Sequence, residues 1–121
     1  GFVAPDISNT SLSVSDTLEV APVMPEFPGG QQALIQFLGK KIKYPTVAQG
    51  EMGLQGRVII RFVVDKEGNV VNPKVVRSVD PYLDKEALRI INQMPKWKPG
   101  ELEDGTKVAV YFTVPVMFRA Q

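Results

Sequence analysis

Residues 56–69 read Gly-Arg-Val-Ile-Ile-Arg-Phe-Val-Val-Asp-Lys-Glu-Gly-Asn, and their alternation decides the fold. Val58, Ile60, Phe62 and Val64 fall on one side of an extended chain, and Arg57, Ile59, Arg61 and Val63 on the other. A period of two with one apolar and one mixed face predicts a strand laid on a core. Asp65 to Asn69 reads as a tight turn, with Gly68 suited to a left-handed backbone. The chain then returns as an antiparallel strand over residues 70–79.

On the N-terminal side the period is helical. Leu34, Phe37, Leu38 and Ile42 recur at helical spacing behind Pro28-Gly29-Gly30, with Lys40, Lys41 and Lys43 near the end, where cations suit the helix dipole. Tyr44-Pro45 ends that helix, because a residue before proline avoids the α region. Pro45 suits the first turn of a second short helix, Thr46 to Met52, stopped by Gly53. On the C-terminal side, Asp80-Pro81 is a capped helix start. That helix is expected to reach Met94, with Leu83, Ala87, Leu88, Ile91 and Met94 as its stripe, and Pro95 ends it. In the last strand Val108, Val110, Phe112, Val114, Val116 and Phe118 share one face, and Tyr111, Thr113, Pro115, Met117 and Arg119 the other.

Proline placement orders the sheet. Proline cannot donate to a ladder and belongs on edge strands. The second strand holds Pro73 and the third Pro115, so the first is central and the order is 2-1-3. Strands two and three are joined through a helix and run parallel, flanking an antiparallel first strand. The expected fold is α+β: a two-layer sandwich with a three-stranded antiparallel sheet and helices on one face. Residues 1–25 read as a largely extended or disordered linker and residues 26–121 as one domain. Within the linker, Pro5, Pro22 and Pro25 break regular structure, while Leu18-Glu19-Val20 is a stretch able to add a strand elsewhere.

The 121 residues include no Cys and no His. Disulfides, Cys or His metal sites, thiol nucleophiles and His-dependent triads are thereby excluded. Hydrophobic residues make up 44% and charged residues 22%, ordinary for a globular domain. The net charge of +1 is too even for a nucleic-acid binder, which shows a basic footprint. It divides into an acidic stretch carrying Asp6, Asp16 and Glu19 without a cation, and a mildly basic remainder. No apolar run is long enough to span a bilayer and no signal peptide is visible, and the abrupt Gly-Phe-Val start reads as part of a longer protein.

Sharper chemistry fails on pattern. Asp65, Glu67 and Asn69 lack the distal Glu of a calcium loop, so a hairpin turn is the better reading. Glu101, Glu103 and Asp104 make a solvated acidic loop, and Gly29-Gly30 lacks the rest of a phosphate cradle. Trp97, in Trp-Lys-Pro-Gly, reads as a packed turn anchor. What remains is the last strand, a long edge that can accept a strand from a partner. The competing reading is an edge merely guarded by Pro115, Lys107 and Arg119, and both stay open.

The run Phe27-Pro28-Gly29-Gly30, Tyr44-Pro45 with Ala48, Gly56-Arg57-Val58, Val63-Val64-Asp65-Lys66-Glu67-Gly68, Val79-Asp80-Pro81, Glu86-Ala87-Leu88 and Met94-Pro95-Lys96-Trp97-Lys98-Pro99-Gly100 resembles the C-terminal domain of TonB energy transducers, in the form familiar from Bacteroidetes. The resemblance covers residues 26–121. It implies no enzyme activity and no cofactor. It implies a periplasmic domain of an inner-membrane-anchored protein that grips the TonB box of an outer-membrane transporter by strand addition. Proton-driven motor proteins of the inner membrane, reached through a part N-terminal to this chain, supply force for siderophore or other nutrient import. The family's Tyr-Pro motif falls on Tyr44 and Pro45, where a receptor contact and an aromatic cover on the core are both open readings. The Arg of the best-known Tyr-Pro-Ala-Arg pattern is replaced by Val47, which puts a charge contact in doubt. Strand addition would engage Val108, Val110, Tyr111, Phe112, Thr113 and Val114, with Tyr111 and Thr113 either reading the peptide or simply decorating the strand. Open edges also suit a homodimer. The alternative is the same domain appended to a peptidase-type membrane regulator as an interaction module.

Overall fold

The computed structural model of the chain describes residues 17–43 and 55–119. The elements run α1 (Gly30–Lys41), β1 (Gly56–Val64), β2 (Val70–Arg77), α2 (Pro81–Ile91), β3 (Gly100–Glu101), β4 (Lys107–Val108) and β5 (Val110–Phe118). The main sheet has three strands in the order β2-β1-β5, and both neighbours are antiparallel to β1. The helices cover one face, giving the α+β sandwich read from the alternation of β1. The second short helix expected at Thr46 to Met52 lies outside the described residues.

Both prolines sit where a missing N–H is tolerated. Pro73 lies beside Asn72, whose φ is 54°, in a stretch where the β1–β2 register slips between Arg61 and Val63. That is a bulge on an edge strand, a usual place for proline within a sheet. Pro115 stands opposite Ile59 on the other edge strand. The β1–β5 ladder is regular from Gly56↔Phe118 to Val64↔Val110.

Val58, Ile60, Phe62 and Val64 of β1 and Val110, Val114, Val116 and Phe118 of β5 are all essentially excluded from solvent. From α2 come Leu83, Ala87, Ile90 and Ile91, and from α1 Leu34. Each fully buried Val, Leu, Ile or Phe among them contributes about 1.5–3 kcal/mol relative to exposure. Trp97 is the hub of an aromatic cluster. Its ring meets Phe112 at 4.9 Å, Phe62 at 5.5 Å and Phe27 at 5.6 Å, all edge-on, the geometry aromatic quadrupoles favour.

The end of α2 and the start of the last strand differ from the expectation. α2 closes at Ile91 with Asn92 as its C-cap, three residues short of Met94, because residues 92 and 93 form a turn ahead of Pro95. Its buried stripe includes Ile90, while Leu88 is half-buried. Val108 does not belong to the last strand. Lys107 and Val108 pair back onto Glu101 and Gly100 as β4, and the long edge strand begins at Val110.

Residues 17–27, grouped mainly with the linker from sequence, form a strap against the domain. Leu18 bridges Val110 in parallel, Val23 bridges Glu101 and Glu26 bridges Lys98, both antiparallel. Ala21 and Phe27 are buried. Gly100 makes room for the strap: an added Cβ there would stand 2.7 Å from Val110 Cγ2 and 3.1 Å from the Val23 carbonyl oxygen.

Candidate functional site: the outer edge of the last strand

The edge is defined by where β5 turns its peptide groups. Tyr111 donates its N–H to the Leu18 carbonyl at 2.9 Å, so the Tyr111 peptide faces away from β1. Alternate residues of a strand face the same way. Thr113, Pro115 and Met117 therefore also present their backbone outward, whereas Val110, Phe112, Val114, Val116 and Phe118 bond toward β1. Among the main-chain groups expected to meet a partner, those of Tyr111 and Thr113 lie on the outer edge. Those of Val110, Phe112 and Val114 are directed into the sheet, and Val108 sits in the neighbouring two-residue ladder. Pro115 has a carbonyl but no N–H to offer.

Half of this edge carries the strap. Leu18 N–H donates to the Ala109 carbonyl at 2.9 Å, and the Leu18 carbonyl accepts from Tyr111. Glu19, next in the chain, points to the sheet face not covered by helices and accepts from Arg61 Nη2 at 2.6 Å. The Arg61 guanidinium lies over the Tyr111 ring at 3.8 Å from its centroid, within cation–π range. The other half, from Thr113 to Met117, has no backbone partner among the described residues. Beside it lies a groove of about 490 Å³ between α1 and β5, lined by Phe27, Leu34, Leu38, Trp97, Phe112 and Pro115 among others. Ile35, on the groove's wall, is 61% exposed.

Tyr44, Pro45 and Val47 lie outside the described residues, but the chain leading to them is held firmly. Lys43 N–H donates to Glu86 Oε2 at 2.7 Å, and Arg89 grips both Glu86 oxygens and the Lys41 carbonyl. Burial works against the charged form of the Glu86 carboxyl. The Arg89 hydrogen bond and the Lys43 N–H outweigh it and hold the pKa below its usual value. The sequence signal for this pair, Glu and Arg three apart on one helix, is common on solvated faces and does not announce a clamp.

The Asp65 carboxylate accepts the N–H groups of Glu67 at 3.0 Å and Asn69 at 2.8 Å, so it serves the turn itself. Among the described residues no group of three or more acidic side chains is placed to hold a metal, and no helix is long and apolar enough to cross a membrane.

The fold is that of a small α+β domain with an outward-facing edge strand beside an apolar groove. A family model, the Gram-negative bacterial TonB protein C-terminal, matches residues 40–120, and the chain belongs to that family. Such domains are periplasmic, non-enzymatic transducers that interact with outer-membrane transporters. Two NMR solution structures of the Helicobacter pylori TonB C-terminal domain, of different lengths, are similar. One is 25% identical with a TM-score of 0.54, covering 72% of this chain and 89% of that one. The other is 25% identical with a TM-score of 0.55, covering 78% and 87%. No curated protein matches the chain.

Proposed function

We infer that this domain binds the TonB box of an outer-membrane transporter by adding the box as a fourth strand beside β5. In this reading a proton-driven motor of the inner membrane pulls through the chain N-terminal to the domain, and the grip on the box passes that force to the transporter plug. The observation that supports it best is the outward peptide edge from Thr113 to Met117 running beside an apolar groove. An added strand gains main-chain bonds from Thr113 and Met117 and can drop alternate side chains into the groove. Each bond is worth about 0.5–1.5 kcal/mol net, so a short box binds with modest affinity. Such affinity suits a partner that must be released after each pull. Tyr44, Pro45 and Val47 follow directly on the clamped Lys43 and form the second contact region in this reading.

The test is titration with synthetic TonB-box peptides from transporters of the same organism. Calorimetry is expected to give binding in the micromolar range or weaker. Amide exchange should slow at Thr113 and Met117, outward donors with no backbone partner among the described residues. Binding that leaves both amides unchanged would place the partner elsewhere.

A further inference from the structure

We propose that residues 17–20 are an internal stand-in for the partner strand, and that the peptide displacing them presents a carboxylate to Arg61. The inference rests on the strand-addition reading and extends it to regulation and to the chemistry of the partner. Three observations carry it. The strap already does what a partner strand would do: Leu18 exchanges two backbone hydrogen bonds with Ala109 and Tyr111 in parallel pairing. Its next side chain, Glu19, bonds Arg61, which is itself oriented over Tyr111. And the occupied stretch abuts the open one, so a long strand cannot use the whole edge while Leu18 is in place.

The contact is built to be exchanged. Glu19 and Arg61 are 74% and 38% exposed at the side chain, and exposed ion pairs are weak. Val20 is 73% exposed, so little apolar area holds this end down. The stand-in persists because it is tethered: Val23 and Glu26 are paired a few residues on, which keeps Leu18 at high local concentration. Leaving costs two net hydrogen bonds, which an incoming strand returns at the same atoms. Arg61 supplies selectivity, since a planar guanidinium held by an aromatic ring favours a carboxylate over a neutral side chain.

The experiment uses the whole 121-residue chain, unaltered and as Leu18→Pro, which removes the N–H donated to Ala109 and leaves the charge unchanged. The probes are a synthetic peptide copying residues 14–22 and the same peptide with Gln at the position of Glu19. Calorimetry is expected to show the first peptide binding L18P about tenfold more tightly than the unaltered chain. The Tyr111 amide, unprotected in free L18P, should regain protection when the peptide binds. The Gln peptide should bind L18P about threefold more weakly than the Glu peptide, and Arg61→Gln introduced into L18P should erase that difference. Equal affinity for L18P and the unaltered chain overturns the stand-in, while protection of Thr113 by transporter peptides would leave the edge reading intact. Binding to L18P without protection of Tyr111 or Thr113 overturns the edge reading itself. Equal affinity of the two peptides overturns carboxylate recognition by Arg61. If L18P does not fold, Glu19→Arg loosens the strap by repulsion from Arg61, and the same comparison of peptide affinity decides.

Discussion

Glu86 of α2 accepts the backbone N–H of Lys43, just past the end of α1, at 2.7 Å. With Arg89 bound to the Lys41 carbonyl at 2.9 Å, one short stretch of α2 fixes both the last carbonyl and the exit direction of α1. Ile42, the C-cap, is already extended there, with φ −67° and ψ 130°.

Glu86→Gln is expected to destabilise the domain by about 1–2 kcal/mol, because the charged bonds to Arg89 become neutral ones while the Arg89 end stays partly wet. The pH dependence has a definite sign. A carboxyl whose folded pKa is lowered adds stability that is present above its unfolded value, 4.5, and is lost as pH falls through the folded value. Urea melts at pH 7 and in steps below 4.5 should therefore show the gap between the unaltered protein and E86Q closing with acid.

Gly68 cannot be replaced without cost. Its φ is 89°, and an added Cβ would stand inside contact distance of the Trp97 carbonyl oxygen, while the Gly68 carbonyl accepts Trp97 N–H at 2.8 Å. Gly68→Ala should lower stability by about 2–4 kcal/mol, seen as a shifted denaturation midpoint with an unchanged slope.

Trp97→Ala should cost about 3–5 kcal/mol, since it empties the centre of the Phe27, Phe62 and Phe112 cluster. Trp97 is the chain's single tryptophan and is only 3% exposed, so in the unaltered protein its fluorescence reports unfolding directly. The variant is followed by circular dichroism.

Pro115→Val restores a backbone donor in the middle of the outward edge at an exposed position that opposes Ile59. The folded stability should change by less than about 1 kcal/mol. Self-association should rise severalfold, because a continuous edge pairs with a second copy more readily. Sedimentation across a concentration series reads both the free protein and any strand-paired dimer.

The parts legible in the sequence were those with a local physical cause. The alternation from Arg57 to Val64 could be satisfied only by a strand with one buried face, and Pro73 and Pro115 could be tolerated only at edges. Asp80 capping Tyr82 N–H at 2.9 Å, with Pro81 following, is written in two adjacent letters. What was not legible depends on partners far away in the chain. Nothing in Lys107-Val108 says that it pairs with Gly100-Glu101 rather than extending β5; the short polar loop between them decides it. Leu18-Glu19-Val20 reads as able to add a strand, but only the β5 edge says where it goes. The same holds for the site: the edge strand could be named from prolines and apolar residues, but which of its peptides face outward followed only from the Tyr111 to Leu18 bond.

The strap has a mechanical consequence. Its three bridges, at Leu18, Val23 and Glu26, each hold two backbone hydrogen bonds, and they lie in series between residue 17 and α1. A pull applied at residue 17 meets them one pair at a time, so the attachment unzips instead of shearing as a block. Each pair freed lets the strap swing toward the pull, and the full stretch to Glu26 adds up to about 30 Å of travel. Under such a pull the strap would lengthen before Phe27 and the aromatic cluster are displaced.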